Sequence, residues 1–182
     1  MAALIYYCHQ GFQPEFLFFW GHQAHRTGEI GKECLSQWWP ASFSIDGTFY
    51  LTAEHFMMAE KARLFGDFEI HEKILITESP EKVKKLGRLV HGFDEKIWNE
   101  NRLEIVLRGN RAKFQQNGNL GAYLIHTQEQ IIVEASPFDT VWGIGLSEDD
   151  HRAFKPEQWM GLNLLGFALM RVRSELNEYR AQ

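Results

Sequence analysis

Cysteine is nearly absent: Cys8 and Cys34 are the only two in 182 residues. A disulfide framework needs several pairs and a cysteine-rich zinc site needs clustered thiols, so both are excluded. Two lone thiols fit a reducing, cytoplasmic compartment. Proline is scarce, at 5 residues, and no linker, repeat or low-complexity tract interrupts the chain. No apolar run approaches the roughly 18 residues that span a bilayer, so no membrane partner is expected. The start, from Met1 to Gln10, lacks the basic residues and long apolar core of a signal peptide. Positive charge is in deficit, and a net charge of −5 argues against general nucleic-acid binding. The histidines lack zincin-type spacing, so no metal and no cofactor is expected. There is no Gly-x-Ser-x-Gly elbow and no phosphate-binding P-loop.

Aromatic residues, in contrast, are plentiful: 6 Trp and 14 Phe. They can fill a large core or stack on planar ligand rings. The length and composition suit one soluble domain over residues 1–182. Its expected class is mainly α (α+β), helical with a few short strands and one hairpin. Phe16–Trp20 suits a buried strand, Gly21–Lys32 a loop, and Ser42–Tyr50 a hairpin turning at Asp46-Gly47. Thr52, Asp67, Ser79 and Asp94 each stand where a helix cap belongs, and Pro80 follows Ser79 at a first helical position. The helix from Asp94 contains Gly109, which implies a kink or close packing there. A short helix over Leu120–His126, a strand over Gln130–Glu134 and a final helix from about Met160 to Tyr179 complete the pattern. Strands do not alternate with helices as a doubly wound sheet requires.

Two groups of residues carry chemistry. In the first, Glu54 opens the helix after Thr52 and Lys61 follows two turns later, on nearly the same face. A carboxyl and an amine on an otherwise apolar stripe are expensive to bury, which a proton-transfer or imine-forming site would justify. An acid favouring the helix dipole and a lysine reaching water would also account for them. The second is the loop Glu134–Gly145, after a strand. It offers Asp139 and Trp142, with Gly143 and Gly145 permitting close approach of a ligand or of backbone. Gly143-Ile144-Gly145 lacks the third glycine of a dinucleotide fingerprint. Arg88 could meet a phosphate, Trp98 could wall a pocket, and Phe19 and Trp20 end a strand that could flank it.

Taken in order, these elements resemble the YbiA-like (NADAR) family. The matching residues are Phe18-Phe19-Trp20, Leu35-Ser36-Gln37-Trp38, Thr52-Ala53-Glu54-His55 with Lys61, Gly87-Arg88, Trp98 and Arg111-Ala112-Lys113-Phe114. Leu124, Thr127, Glu134, Asp139-Thr140-Val141-Trp142-Gly143-Ile144-Gly145, Asn163-Leu164-Leu165-Gly166 and Leu169–Arg173 follow. The likeness covers roughly Phe16–Leu176.

The resemblance implies a compact, mainly helical fold and N-glycosidase activity on N-ribosides. Phosphorylated aminopyrimidine ribosides of riboflavin synthesis are one substrate group, and ADP-ribose on guanine in DNA is another. DNA is thus a partner only as a modified substrate. The family's essential glutamate falls on Glu54, its aspartate and tryptophan before Gly-x-Gly on Asp139 and Trp142, and its helix tryptophan on Trp98. The expected catalytic set is Glu54, Lys61 and Asp139. The expected binding set is Trp20, Arg88, Trp98, Trp142, Gly143 and Gly145. The chain departs from the family's Gln-x-x-Lys after Glu-His, where Met57 or Met58 stands and only Lys61 remains, and from its Phe-Ser-Asn, which appears as Leu35-Ser36-Gln37. Its Gly21–Lys32 segment is long and carries His22, His25 and Arg26. A module that binds ADP-ribose without hydrolysis would show the same pocket residues.

Overall fold

The computed structural model describes residues 1–23 and 29–180. His25 and Arg26 lie outside the described residues. The order of elements is α1 (Ala2–His9), β1 (Phe16–Phe19), β2 (Phe43–Ile45), β3 (Thr48–Tyr50), α2 (Ala53–Leu64), α3 (Phe68–Leu75), α4 (Pro80–Arg88), α5 (Glu95–Gln116), α6 (Gly118–His126), β4 (Ile131–Glu134) and α7 (Leu164–Arg180). The expected α+β class, dominated by helices, is what these elements form. The chain divides into two compact units, Gln37–Gly121 and Met1–Ser36 with Ala122–Gln182.

In the first, helical unit, α2 packs against α3, α4 and α5. The anticipated caps are all made: Thr52 Oγ1 accepts from His55 N, Asp67 Oδ1 from Ile70 N, Ser79 Oγ from Lys82 N and Asp94 Oδ1 from Ile97 N. Each satisfies an amide that a helix start leaves unpaired. The first two turns of α2 have no solvated side: every residue from Ala53 to Glu60 is buried, while Arg63 in the last turn is exposed. The single apolar stripe expected for α2 is therefore replaced there by burial all round. Two glycines let its neighbours come close. A Cβ at Gly109 would stand 2.7 Å from Phe56 Cδ1, so close packing accounts for this glycine. A Cβ at Gly87 would fall on the Met58 side chain. The β2–β3 hairpin turns at Asp46 and Gly47, both with positive φ.

In the second unit, β1 and β4 pair in parallel, with Phe16 opposite Ile131 and Phe19 opposite Glu134. Phe18, Val133, Ala135, Ile144, Leu146 and Ala153 form its core. The final helix starts at Leu164 rather than near Met160. Asn163 sits before it at φ 51°, a left-handed conformation that a helix cannot continue through. Helix α1 lies in a segment for which no helix was expected. No helix among the described residues is long and apolar enough to cross a membrane.

Candidate functional site

The helical unit gathers four of the expected residues. Glu54 enters α2 at its first turn and is only 3% exposed. Its backbone N–H donates to Gln37 O at 3.0 Å, which ties the start of α2 to the chain before the hairpin. His55 is equally buried. Its Nε2–H donates to the Thr77 carbonyl at 2.8 Å, so Nδ1 accepts from the Thr52 hydroxyl at 2.8 Å. Burial holds its pKa below the ordinary value, and the Thr77 bond opposes that in part. Both ring nitrogens are thus engaged in anchoring the helix start.

Lys61 lies two turns from Glu54 and is half-buried. Its Nζ donates to Gly87 O at 2.8 Å and stands 4.2 Å from the Phe93 ring centroid and 5.6 Å from that of Trp98. Removal from water lowers its pKa first, and the neighbouring charge of Arg88 lowers it further. An amine held this way releases its proton more readily than a solvated lysine. Arg88, at the end of α4, is itself exposed.

Phe93 was absent from the expected set although its position carries a signal. Phe93 precedes the Asp94 cap, and Trp98 falls in the next turn, the spacing of a hydrophobic staple. The two rings that begin α5 both approach Lys61 as cation–π partners. Lys113 is fully buried on α5 and was named only within the family likeness. Glu60 is a second buried acid on α2, but it is committed to structure: Arg63 donates to both of its oxygens and Arg108 to one. The depression at the head of α5, lined by Asp94, Glu95, Lys96, Asn99 and Glu100, contains none of the candidate residues.

The second unit holds Trp20, Asp139, Trp142, Gly143 and Gly145. Asp139 Oδ1 accepts from Val141 N at 2.9 Å and from Trp142 N at 2.8 Å, so this carboxylate shapes its own loop. The loop is then clamped by backbone. Ile144 N donates to Glu134 O, Gly145 N to Asp139 O, Leu164 N to Val141 O and Leu165 N to Trp142 O. Gly143 is buried, and a Cβ there would stand 2.7 Å from Glu134 O, while Gly145 has φ 70°. The chain's own backbone makes the close approach at Gly143.

Asn163 completes the clamp. Its Oδ1 accepts from Glu134 N at 3.0 Å and its Nδ2 donates to Ile132 O at 3.0 Å, while its N–H donates to Gly143 O. Trp20 follows β1 and is 56% exposed. Among the described residues, no three His, Cys, Asp or Glu side chains come together as ligands of a metal would.

Comparison with known proteins shows what the chain as a whole is similar to. The NADAR domain matches residues 18–177. A mimivirus protein named N-glycosidase R617 is 41% identical over 166 residues, covering 88% of this chain and 96% of that protein. A Vibrio vulnificus riboflavin biosynthesis protein is 32% identical over 145 residues, 80% of this chain and 36% of its own length. The solved NMR structure of Escherichia coli YbiA matches with a TM-score of 0.74 at 25% identity, covering 94% of this chain and 90% of that one. That bacterial protein is named an N-glycosidase.

Proposed function

The chain belongs to the NADAR domain family, and from that membership we propose that it is an N-glycosidase, a hydrolase of the C–N bond in N-ribosides. Its substrate is a phosphorylated aminopyrimidine riboside of the riboflavin pathway, split to free base and ribose 5-phosphate. The observation that carries this reading is a buried carboxyl, Glu54, on the same helix as a desolvated amine, Lys61. The relative named for riboflavin biosynthesis supports the substrate class.

Breaking the bond leaves positive charge on the anomeric carbon and requires a proton on the departing nitrogen. Glu54 in its acid form donates that proton as the C–N bond opens. Water adds its oxygen to the anomeric carbon and returns a proton to the carboxylate, so atoms and charge balance. Positioned proton transfer of this kind contributes about 10²–10⁴-fold. Lys61 opens a second course for the sugar. Once the ribose ring opens, its neutral amine adds to the same carbon and expels the base, and water then hydrolyses the imine. Arg88 meets the phosphate and Trp98 stacks on the base. The strand-bearing unit offers Asp139 and Trp142 as further substrate-binding residues.

The test is chromatographic base release by the native enzyme and by Glu54→Gln, with the aminopyrimidine ribosyl phosphate and with guanine-ADP-ribosylated DNA. Release from the former is expected to fall by about 10²-fold or more in the variant. A well-folded Glu54→Gln protein at native turnover removes Glu54 from the mechanism. Release from the DNA substrate alone moves the activity to ADP-ribosylguanine. Borohydride should trap a sugar adduct on the native enzyme and none on Lys61→Ala; an adduct that survives Lys61→Ala ends the imine course.

A further inference from the structure

In open α/β sheets, ligands bind beyond the carboxyl ends of the parallel strands, where loops diverge, and the same end of a two-stranded parallel pair presents its loops to a common space. In the strand-bearing unit, β1 ends at Phe19 and β4 ends at Glu134, directly opposite one another. The next residue after β1 is Trp20. The loop after β4 carries Phe138, and the two rings lie 6.2 Å apart, tilted by 49°. Both are exposed, Trp20 to 56% and Phe138 to 86%. Core packing therefore does not account for either ring. Asp139 follows Phe138 directly. Its Oδ1 is taken by the loop amides, and its Oδ2 accepts no hydrogen bond among the described residues.

We propose that Trp20 and Phe138 form a stacking platform for a planar heteroaromatic ring bearing N–H donors, with Asp139 Oδ2 as the acceptor beside it. The rings contact each other too closely to sandwich a third, so the ligand ring lies across their exposed faces. A carboxylate oxygen at the edge selects a ring with amino or imino hydrogens over one without. This deepens the proposed function, on which it rests, by assigning recognition of the base to residues at the end of β1 and after β4. Phe138 has not figured in the site until this point, and the aromatic pair gives Trp20 a partner.

The experiment is calorimetric titration of the whole chain with three probes: diaminohydroxypyrimidine, N,N′-dimethyluracil and ribose 5-phosphate. Diaminohydroxypyrimidine is expected to bind more tightly than dimethyluracil, which has no N–H. Trp20→Ala and Phe138→Ala should each weaken it by about 5-fold or more, the effect of removing one stacking ring. Trp20→Phe should retain most of the affinity while losing part of the tryptophan fluorescence quenching. Asp139→Asn keeps an oxygen for the loop amides and should erase the preference over dimethyluracil. Ribose 5-phosphate affinity should not change in either alanine variant. Unchanged pyrimidine affinity in both alanine variants overturns the platform. Equal binding of dimethyluracil to the native chain overturns the role of Asp139. Platform-dependent ring binding with no base release supports the platform and removes the glycosidase reading. Base release at native KM in both alanine variants does the reverse.

Discussion

Glu54 stands on a helix that three other helices enclose, whereas Asp139 stands on a loop held by backbone hydrogen bonds and close-packed glycines. The helical unit places its polar groups by periodicity. Once Thr52 fixes where α2 starts, the direction of Glu54, His55, Glu60 and Lys61 follows from 3.6 residues per turn. Two of its glycines yield space to side chains, Gly87 to Met58 and Gly109 to Phe56. The strand-bearing unit places Asp139 and Trp142 by long-range backbone contact. Three of its glycines yield space to carbonyls, Gly143 to Glu134 O, Gly161 to Gly143 O and Gly166 to Ile132 O. A side chain can rotate away from an added methyl group, and a carbonyl inside a paired backbone cannot. The first unit should therefore tolerate change where the second does not.

The largest expected contrast lies between two buried asparagines. Asn163 satisfies Glu134 N–H and Ile132 C=O. Asn163→Ala removes both bonds, at about 1–3 kcal/mol each, and forces alanine into a left-handed conformation. In the helical unit, Asn110 Nδ2 donates to Gln37 Oε1 and to Val106 O. Val106 O lies within α5 and keeps its place in the helical ladder without Asn110. Urea unfolding should show Asn163→Ala destabilised by about 3 kcal/mol or more, and Asn110→Ala by about half of that. Equal losses would break the contrast.

The second comparison uses two glycines. Inserting a methyl group into packed structure costs about 1–3 kcal/mol when neighbours must shift. Gly166→Ala meets Ile132 O and both amide atoms of Asn163, so the upper end of that range is expected. Gly87→Ala meets Met58, whose unbranched thioether chain adapts to irregular space, so the lower end is expected. Thermal unfolding of the two variants ranks them directly. A Gly87→Ala protein less stable than Gly166→Ala would show that Met58 has no alternative rotamer.

The same division explains what the amino-acid sequence disclosed. Helix caps at Thr52, Asp67, Ser79 and Asp94 were legible because a cap is a local bond, three residues long. The hairpin at Asp46-Gly47 was legible for the same reason. The burial of α2 from Ala53 to Glu60 was not legible, since helical spacing put Glu54 and Lys61 on one apolar stripe and encodes nothing of what covers His55 and Glu60. The parallel pairing of β1 with β4 joins residues more than a hundred positions apart, and nothing local encodes it. Asn163 read as part of a family likeness, not as the bolt between α7 and β4. Phe93 could have been found from its staple position before Asp94, but its approach to Lys61 depends on α2 lying alongside.

The smallest expected effect separates the two units by pH. His55 is held neutral in the fold, with Nε2–H on Thr77 O and Nδ1 accepting from Thr52. Its folded pKa is lowered by burial, while the unfolded chain protonates near about 6.5. Between those two values the unfolded chain carries more protons, so stability rises with pH across that window. The contribution of His55 is complete above about pH 6.5 and declines as the pH falls toward the folded pKa, by no more than about 1.4 kcal/mol per unit. Asp67, whose pKa is lowered by amides of His91 and Ile70, adds its loss only further down, through the carboxylate range. In the strand-bearing unit, the buried cation Arg173 donates to Thr127 and Gln130 O, and a guanidinium does not titrate here. Chemical denaturation at pH 7.5 and 5.5 should therefore show a drop that His55→Gln largely removes, since glutamine can donate to Thr77 O and accept from Thr52 at any pH. A His55→Gln protein that keeps the whole drop would place the sensitivity elsewhere, and the neutral imidazole would then anchor α2 without coupling its stability to protons.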